Sequence, residues 1–101
     1  MAILRFLQSA VDPADIDNVR RLFTDDVLPA FRALPGCIGI ELLVSLETNA
    51  GGLVEGAALS RWESREAMDE GMASRHVHEA QVRIFELLCQ EPIIRVFEVT
   101  S

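Results

Sequence analysis

Four side chains of this 101-residue sequence could do chemistry: His76, His78, Gln81 and Trp62. Histidine titrates near neutrality, so His76 or His78 could serve as a general base or as an axial ligand to haem. The two stand two residues apart. On a helix that spacing turns them in different directions, so they do not make a metal pair, which uses spacings of three or four. Gln81 and His78 fall inside the apolar arc of the helix predicted around them, and His76 lies at its edge. A polar group on a core-facing helix needs a hydrogen-bond partner or a wet cavity. Gln81 and one histidine therefore line a ligand pocket between helix and sheet, or else are satisfied or partly exposed side chains. Trp62 ends a strand and is either core or a stacking surface for an aromatic substrate.

Other chemistries find no support. The sequence has no Tyr, which excludes a tyrosyl acid or radical. Gly51-Gly52 lacks the Lys-Ser/Thr of a phosphate loop and the dinucleotide fingerprint. No local motif suggests a Ser-His-Asp or Cys-His grouping. Cys37 and Cys89 are far apart and flanked by apolar residues, and read as buried free thiols in a reducing cytoplasm rather than as a disulfide or a nucleophile.

The elements that must position these residues follow from pattern and punctuation. Residues 2–10 read as a strand. Asp12 caps a helix that opens at Pro13, with a stripe of Ile16, Val19, Phe23, Val27, Ala30 and Leu34. Pro29 interrupts the stripe and should kink or split the helix. Pro35-Gly36 ends it. Residues 37–47 form a long strand with Ile38, Ile40, Leu42, Val44 and Leu46 on one face. Asn49-Ala50-Gly51-Gly52 makes a hairpin loop, and residues 53–62 a third strand. Ser64 and Glu66 start a short helix that stops near Gly71. A further helix runs from about Ala73 to Cys89. Glu91-Pro92 ends it, and residues 93–100 alternate as a last strand. The order β-α-β-β-α-β predicts an α+β, ferredoxin-like domain over residues 1–101, with a four-stranded antiparallel sheet.

Charge and hydropathy narrow the partners. The net charge of −7 argues against nucleic acid and anionic membrane. No apolar run approaches the roughly 20 residues that span a bilayer, and no targeting segment is visible, so a cytoplasmic protein is expected. Half of the residues are apolar. Arg5, Glu41, Glu55, Arg61 and Arg95 alternate into otherwise apolar strands. If helices cover one sheet face, these charges lie on the other with Ile3, Leu7, Leu43, Leu53, Leu59, Phe97 and Val99. That much apolar surface predicts a symmetric homodimer joined through its sheet faces; the other possibility is a solvated face with surface ion pairs.

Three segments carry a family resemblance. Pro35-Gly36-Cys37-Ile38-Gly39-Ile40-Glu41-Leu42-Leu43, Trp62-Glu63-Ser64-Arg65-Glu66-Ala67 and Ser74-Arg75-His76 resemble the PGxxGxELL, WxSxEA and S-x-H patterns of the antibiotic-biosynthesis-monooxygenase family of dimeric α+β barrel proteins. The resemblance implies a homodimer with a pocket between each sheet and its helices, with Trp62 and His76 matching the family's Trp and His. That family includes cofactor-independent oxygenases of aromatic polyketide phenols, quinol oxygenases and haem-degrading enzymes. The haem-degrading branch uses Asn on the first strand and Trp on a helix; here the strand has no Asn, and the helix positions carry Gly71 and Ala80. The expected function is a cofactor-free monooxygenase of a small hydrophobic, aromatic molecule. Either histidine would be the base, Gln81 would orient a carbonyl or hydroxyl, and Trp62 would shape the wall. A non-catalytic dimeric binding module and a haem protein with a His ligand are the alternatives.

Overall fold

The computed structural model describes residues 2–100. Strand β1 (Ala2–Val11) is followed by a 3-10 turn, by helix α1 (Ile16–Leu22), by a π-helical turn (Phe23–Val27) and by helix α2 (Leu28–Arg32). Next come β2 (Cys37–Thr48), β3 (Val54–Trp62), α3 (Arg65–Met72), α4 (Arg75–Leu87) and β4 (Ile93–Val99). The sheet order is β2-β3-β1-β4, antiparallel throughout. This is the β-α-β-β-α-β, ferredoxin-like α+β fold. No described helix is long and apolar enough to cross a membrane.

The punctuation acts as the residue types dictate. The Asp12 carboxylate accepts from the Ala14 N–H, and the Ser64 hydroxyl accepts from the Ala67 N–H at 3.1 Å. Asn49 Oδ1 accepts from the N–H groups of both Gly51 and Leu53, closing the hairpin loop. Gly36 has φ near 79°, the left-handed conformation that releases the chain from α2 into β2. Pro29 splits the first helix as expected, by a specific route. The Leu28 N–H bonds the Phe23 carbonyl, five residues back instead of four. The extra residue widens the helix just before a proline that has no N–H and whose ring crowds the preceding turn.

The register decides which side chains face the helices. Leu7 stands opposite Ala58, Ser9 opposite Gly56 and Ile3 opposite Trp62; on the far side Leu42 meets Ala58 and Val44 meets Gly56. These residues form the helix-covered face. Leu4, Phe6, Gly39, Glu41, Leu43, Leu59, Arg61, Arg95 and Phe97 form the open one.

Two expectations change here. Arg5 pairs with Ser60 and Val96, so it lies on the helix side with Ile3 and Leu7, not beside Glu41 on the open face. Both parities of β1 are apolar, so alternation alone could not tell its faces apart. Leu46, expected to share a face with Ile40, is fully exposed. Val44 pairs with Gly56 and Thr48 with Val54, so the intervening stretch of β2 bulges away from β3. Ser45 stabilises the bulge by donating to the Glu47 carbonyl at 2.8 Å.

The core is concentrated at one end of the sheet. Phe31, Trp62 and Val77 are fully enclosed, with Ile40, Met68, Phe23 and Val27 around them. Trp62 and Phe31 approach at a tilt, ring centroids 6.1 Å apart, a favourable aromatic geometry. Gly71 makes this packing possible. A Cβ there would stand 2.6 Å from Trp62 Cη2, so the helix must be bare where the indole passes. Trp62 Nε1 donates to Ser60 Oγ at 2.9 Å, leaving no unpaired polar atom in the cluster.

Candidate functional site

The opposite end of the sheet is hollow. Its helix-facing floor carries Ser9, Gly56 and Ala58, small side chains where the other end has Trp62 and Ile40. Above the floor stand Val19, Phe23 and Val27 on one side and Gln81, Ile84, Phe85 and Leu88 on the other. Between them lies a cavity of about 70 Å³ that opens to solvent. Phe23 and Val27 belong to the π-turn, so the helix distortion before Pro29 shapes one wall. Phe85 is 43% exposed and stands where the cavity meets solvent.

Several contacts hold the α4 end of this cavity to the sheet. The Cys89 N–H donates to the Ala10 carbonyl at 2.8 Å, and Leu88 forms a bridge with Val11. Ser9 Oγ donates to the Gln90 carbonyl at 2.7 Å. The Ser9 hydroxyl is therefore engaged in architecture. That leaves Gln81 as the polar side chain of the wall with capacity to spare. It is only 8% exposed, and its amide makes no side-chain hydrogen bond among the described residues. An amide offers a donor pair and an acceptor from one planar group. No side-chain nitrogen or oxygen is both buried and unpaired among the described residues, so the amide is reached by water through the open cavity and is free to exchange that water for a ligand.

The sequence-predicted residues separate. Gln81 lies in the cavity as its place in the helical arc implied. Trp62 is in the filled end and does not line the cavity. His76 and His78 are exposed on α4 and do not line it either. His78 was expected inside the apolar arc; it turns outward instead, and its Nε2 meets the Met72 carbonyl at 2.8 Å, tying the start of α4 to the end of α3. Cys89, expected to be buried, is exposed, and both cysteines are free. Burial pushes the half-buried Cys37 thiol above the ordinary thiol range, against a smaller opposing effect of its contact with the Gly39 carbonyl. Ser9, Gly56, Ala58 and Phe85 carry no motif. The sequence signal for the hollow was the pair of small residues Gly56 and Ala58 on a single face of β3.

Among the described residues the wall contains no His, Cys, Met or Tyr, the side chains that hold haem iron. The donor set of this cavity does not fit haem. Among the described residues no cluster of His, Cys, Asp or Glu could hold a metal ion.

The sequence profile of the antibiotic biosynthesis monooxygenase family matches residues 2–83. The chain belongs to this family. Among curated protein sequences none matches it. Solved structures share the fold across nearly the whole chain. Rv0793 from Mycobacterium tuberculosis is 24% identical at a TM-score of 0.72, covering 100% of this chain and 97% of its own. A conserved protein from Methanosarcina mazei Go1 is 18% identical at 0.79, covering 99% and 94%. A variant of SnoaB, a cofactor-independent oxygenase from Streptomyces nogalater, is 14% identical at 0.75, covering 99% and 94%. These likenesses carry the architecture of a family that includes cofactor-independent oxygenases.

Proposed function

We propose that this family member takes a small hydrophobic, aromatic molecule into the hollow end of its fold and promotes its oxygenation without a cofactor. The observation that supports this most is the unpartnered Gln81 amide in an apolar cavity. A phenol or enol bound there meets apolar walls that strip its water, and one amide that fixes its oxygen. The Gln81 NH₂ favours the ionised oxygen over the neutral one. Ionisation makes the ring electron-rich enough to reduce O₂ directly. An activated ring CH₂ then becomes C=O, one oxygen atom enters the product, and the other leaves as water, so the substrate supplies all four electrons.

Among the described residues no titratable side chain lines the cavity. Substrate ionisation then rests on the substrate's own acidity and on water at the mouth, and the base role expected of His76 or His78 falls to experiment. Oxygen uptake with dihydroxyaromatic compounds tests both points. Gln81→Leu should lower the rate at least tenfold, while His76→Ala and His78→Ala stay within about twofold of the parent. A tenfold loss in either histidine variant would return the base to that residue. The absence of a titratable group in the wall also favours a second reading, ligand binding without turnover. Saturable binding with no oxygen consumed would establish it.

The open sheet face supports a homodimer as part of the same proposal. Ile93 and Phe97 are each 50% exposed, and Leu43 is 44% exposed. Glu41 and Arg61 border a recess of about 280 Å³ there and form no ion pair with each other, which leaves both charges for a second copy. A patch of this kind is covered in most soluble proteins. Light scattering behind size exclusion should give twice the chain mass at micromolar concentration; a monomer would remove this part of the proposal.

A further inference from the structure

Arg5 is a cation in an unusual place. It projects from the helix-covered face of β1, between Ser60 of β3 and Val96 of β4. It is half-buried, and desolvation pulls its pKa below the ordinary guanidinium value. Among the described residues it has no carboxylate within ion-pair distance; the ion pairs present are Arg65–Asp69 and Arg75–Glu79, both on helix surfaces. Nor does it donate a hydrogen bond to any described residue, whereas Arg95, on the open face, donates to the Ile94 carbonyl. Ser60, its cross-strand neighbour, has its hydroxyl engaged by the Trp62 indole. Glu98 shares this face as the diagonal neighbour of Arg5, two pairs along the ladder opposite Ile3, and forms no ion pair with it.

Arg5 does not itself line the cavity, but its neighbour on this face does. Leu7, which forms part of the cavity floor, is the next residue on the same face of β1, about 7 Å along the strand. The cavity itself holds no charge. The chemistry assigned to it requires the ligand to carry negative charge, and one amide is a weak counterpart for a desolvated anion. Arg5, two residues from Leu7 along the same face of β1, carries five donors and a fixed positive charge on a side chain long enough to span that distance.

Resting on the reading that the cavity takes an aromatic ring, we propose that Arg5 holds the anionic oxygen of the ligand: the ring lies over Leu7 and Ala58 and its carboxylate or phenolate reaches the guanidinium. The ligand class is thus a small aromatic oxyanion rather than a neutral hydrocarbon or amide. Arg5 and Gln81, neither of which has a protein hydrogen-bond partner among the described residues, would both engage the ligand. Arg5 is a specificity-determining residue in this account, since it selects ligands that carry an oxyanion beside the ring.

The matched pair 4-ethylbenzoate and 4-ethylbenzamide tests the proposal, because the two differ in charge and hardly in shape. Binding is read by amide chemical shifts on titration of the intact protein at pH 7.5 and low salt. The benzoate should bind at least tenfold more tightly than the benzamide, and added salt should shrink the ratio. Arg5→Gln should bring the benzoate to the level of the benzamide and leave the benzamide unchanged. Arg5→Lys, which keeps the charge without the fork, should retain part of the preference. Equal binding of the two compounds by the parent protein would overturn the proposal while leaving the cavity reading intact. So would a preference that survives Arg5→Gln alongside a loss of thermal stability, which would make Arg5 a structural counter-ion. Failure of both compounds to bind at millimolar concentration would overturn this proposal and the cavity reading together.

Discussion

The two ends of the sheet use the same layers and do opposite things with them. At one end Trp62, Phe31, Val77, Ile40 and Met68 fill the space between sheet and helices, and the indole fits against the bare backbone of Gly71. At the other, Ser9, Gly56 and Ala58 replace bulky residues on the floor, and the space stays open under Gln81. Stability is concentrated where side chains interdigitate, and binding capacity where they do not. The hollow also carries an unpartnered amide, which folding alone does not reward.

Substitutions can break that contrast or sharpen it. The largest effect is expected at the filled end. Trp62→Ala should cost about 3–5 kcal/mol in urea denaturation, enough to unfold a marginal domain of this size. A loss near 1 kcal/mol would mean that the filled end is not the stabilising one. Gly71→Ala should cost about 1–3 kcal/mol, because the added methyl meets the Trp62 ring. The hollow end should respond the other way. Gln81→Leu should change stability by less than about 1 kcal/mol, since the amide has no protein hydrogen bond to lose among the described residues, while aromatic binding falls tenfold or more. A clear destabilisation would show that Gln81 has a structural partner. Ala58→Leu should fill the cavity at a cost below about 1.5 kcal/mol and abolish binding. The smallest effect is chemical. The raised pKa of Cys37 keeps it a thiol where an ordinary cysteine has begun to ionise, so iodoacetamide should modify exposed Cys89 first at pH 8.5, with Cys37 reacting as the pH rises further.

Much of this arrangement was legible in the chain. Asp12, Ser64, Pro35-Gly36 and Asn49-Ala50-Gly51-Gly52 set their turns and caps through local chemistry, and local chemistry needs no tertiary context. Pro29 announced an interruption, though not that a π-turn would absorb it. Gln81 and His78 both fall in the apolar arc that the sequence predicts for α4, with a pocket wall and a satisfied side chain left open for each; Gln81 lies on the buried side of the helix and borders the cavity. His78, the residue after buried Val77, turns about 100° round the helix from it and lies on the exposed face. Arg5 could not be placed from alternation: Ile3 and Leu7 on one parity are matched by Leu4 and Phe6 on the other, and only the pairing with Ser60 fixes the side. The hollow itself is a difference in side-chain volume between the ends of one face. A sequence shows it only after strand register is known.

The central claim is that the hollow end, and not the open sheet face, receives an aromatic guest. Amide chemical shifts during titration with 4-ethylphenol test it directly. Perturbations should cluster at Ser9, Gly56, Ala58, Gln81 and Phe85, with Met68 and Val77 in the filled end unmoved. Shifts confined to Glu41, Leu59 and Arg61, or none at saturating phenol, would contradict the account.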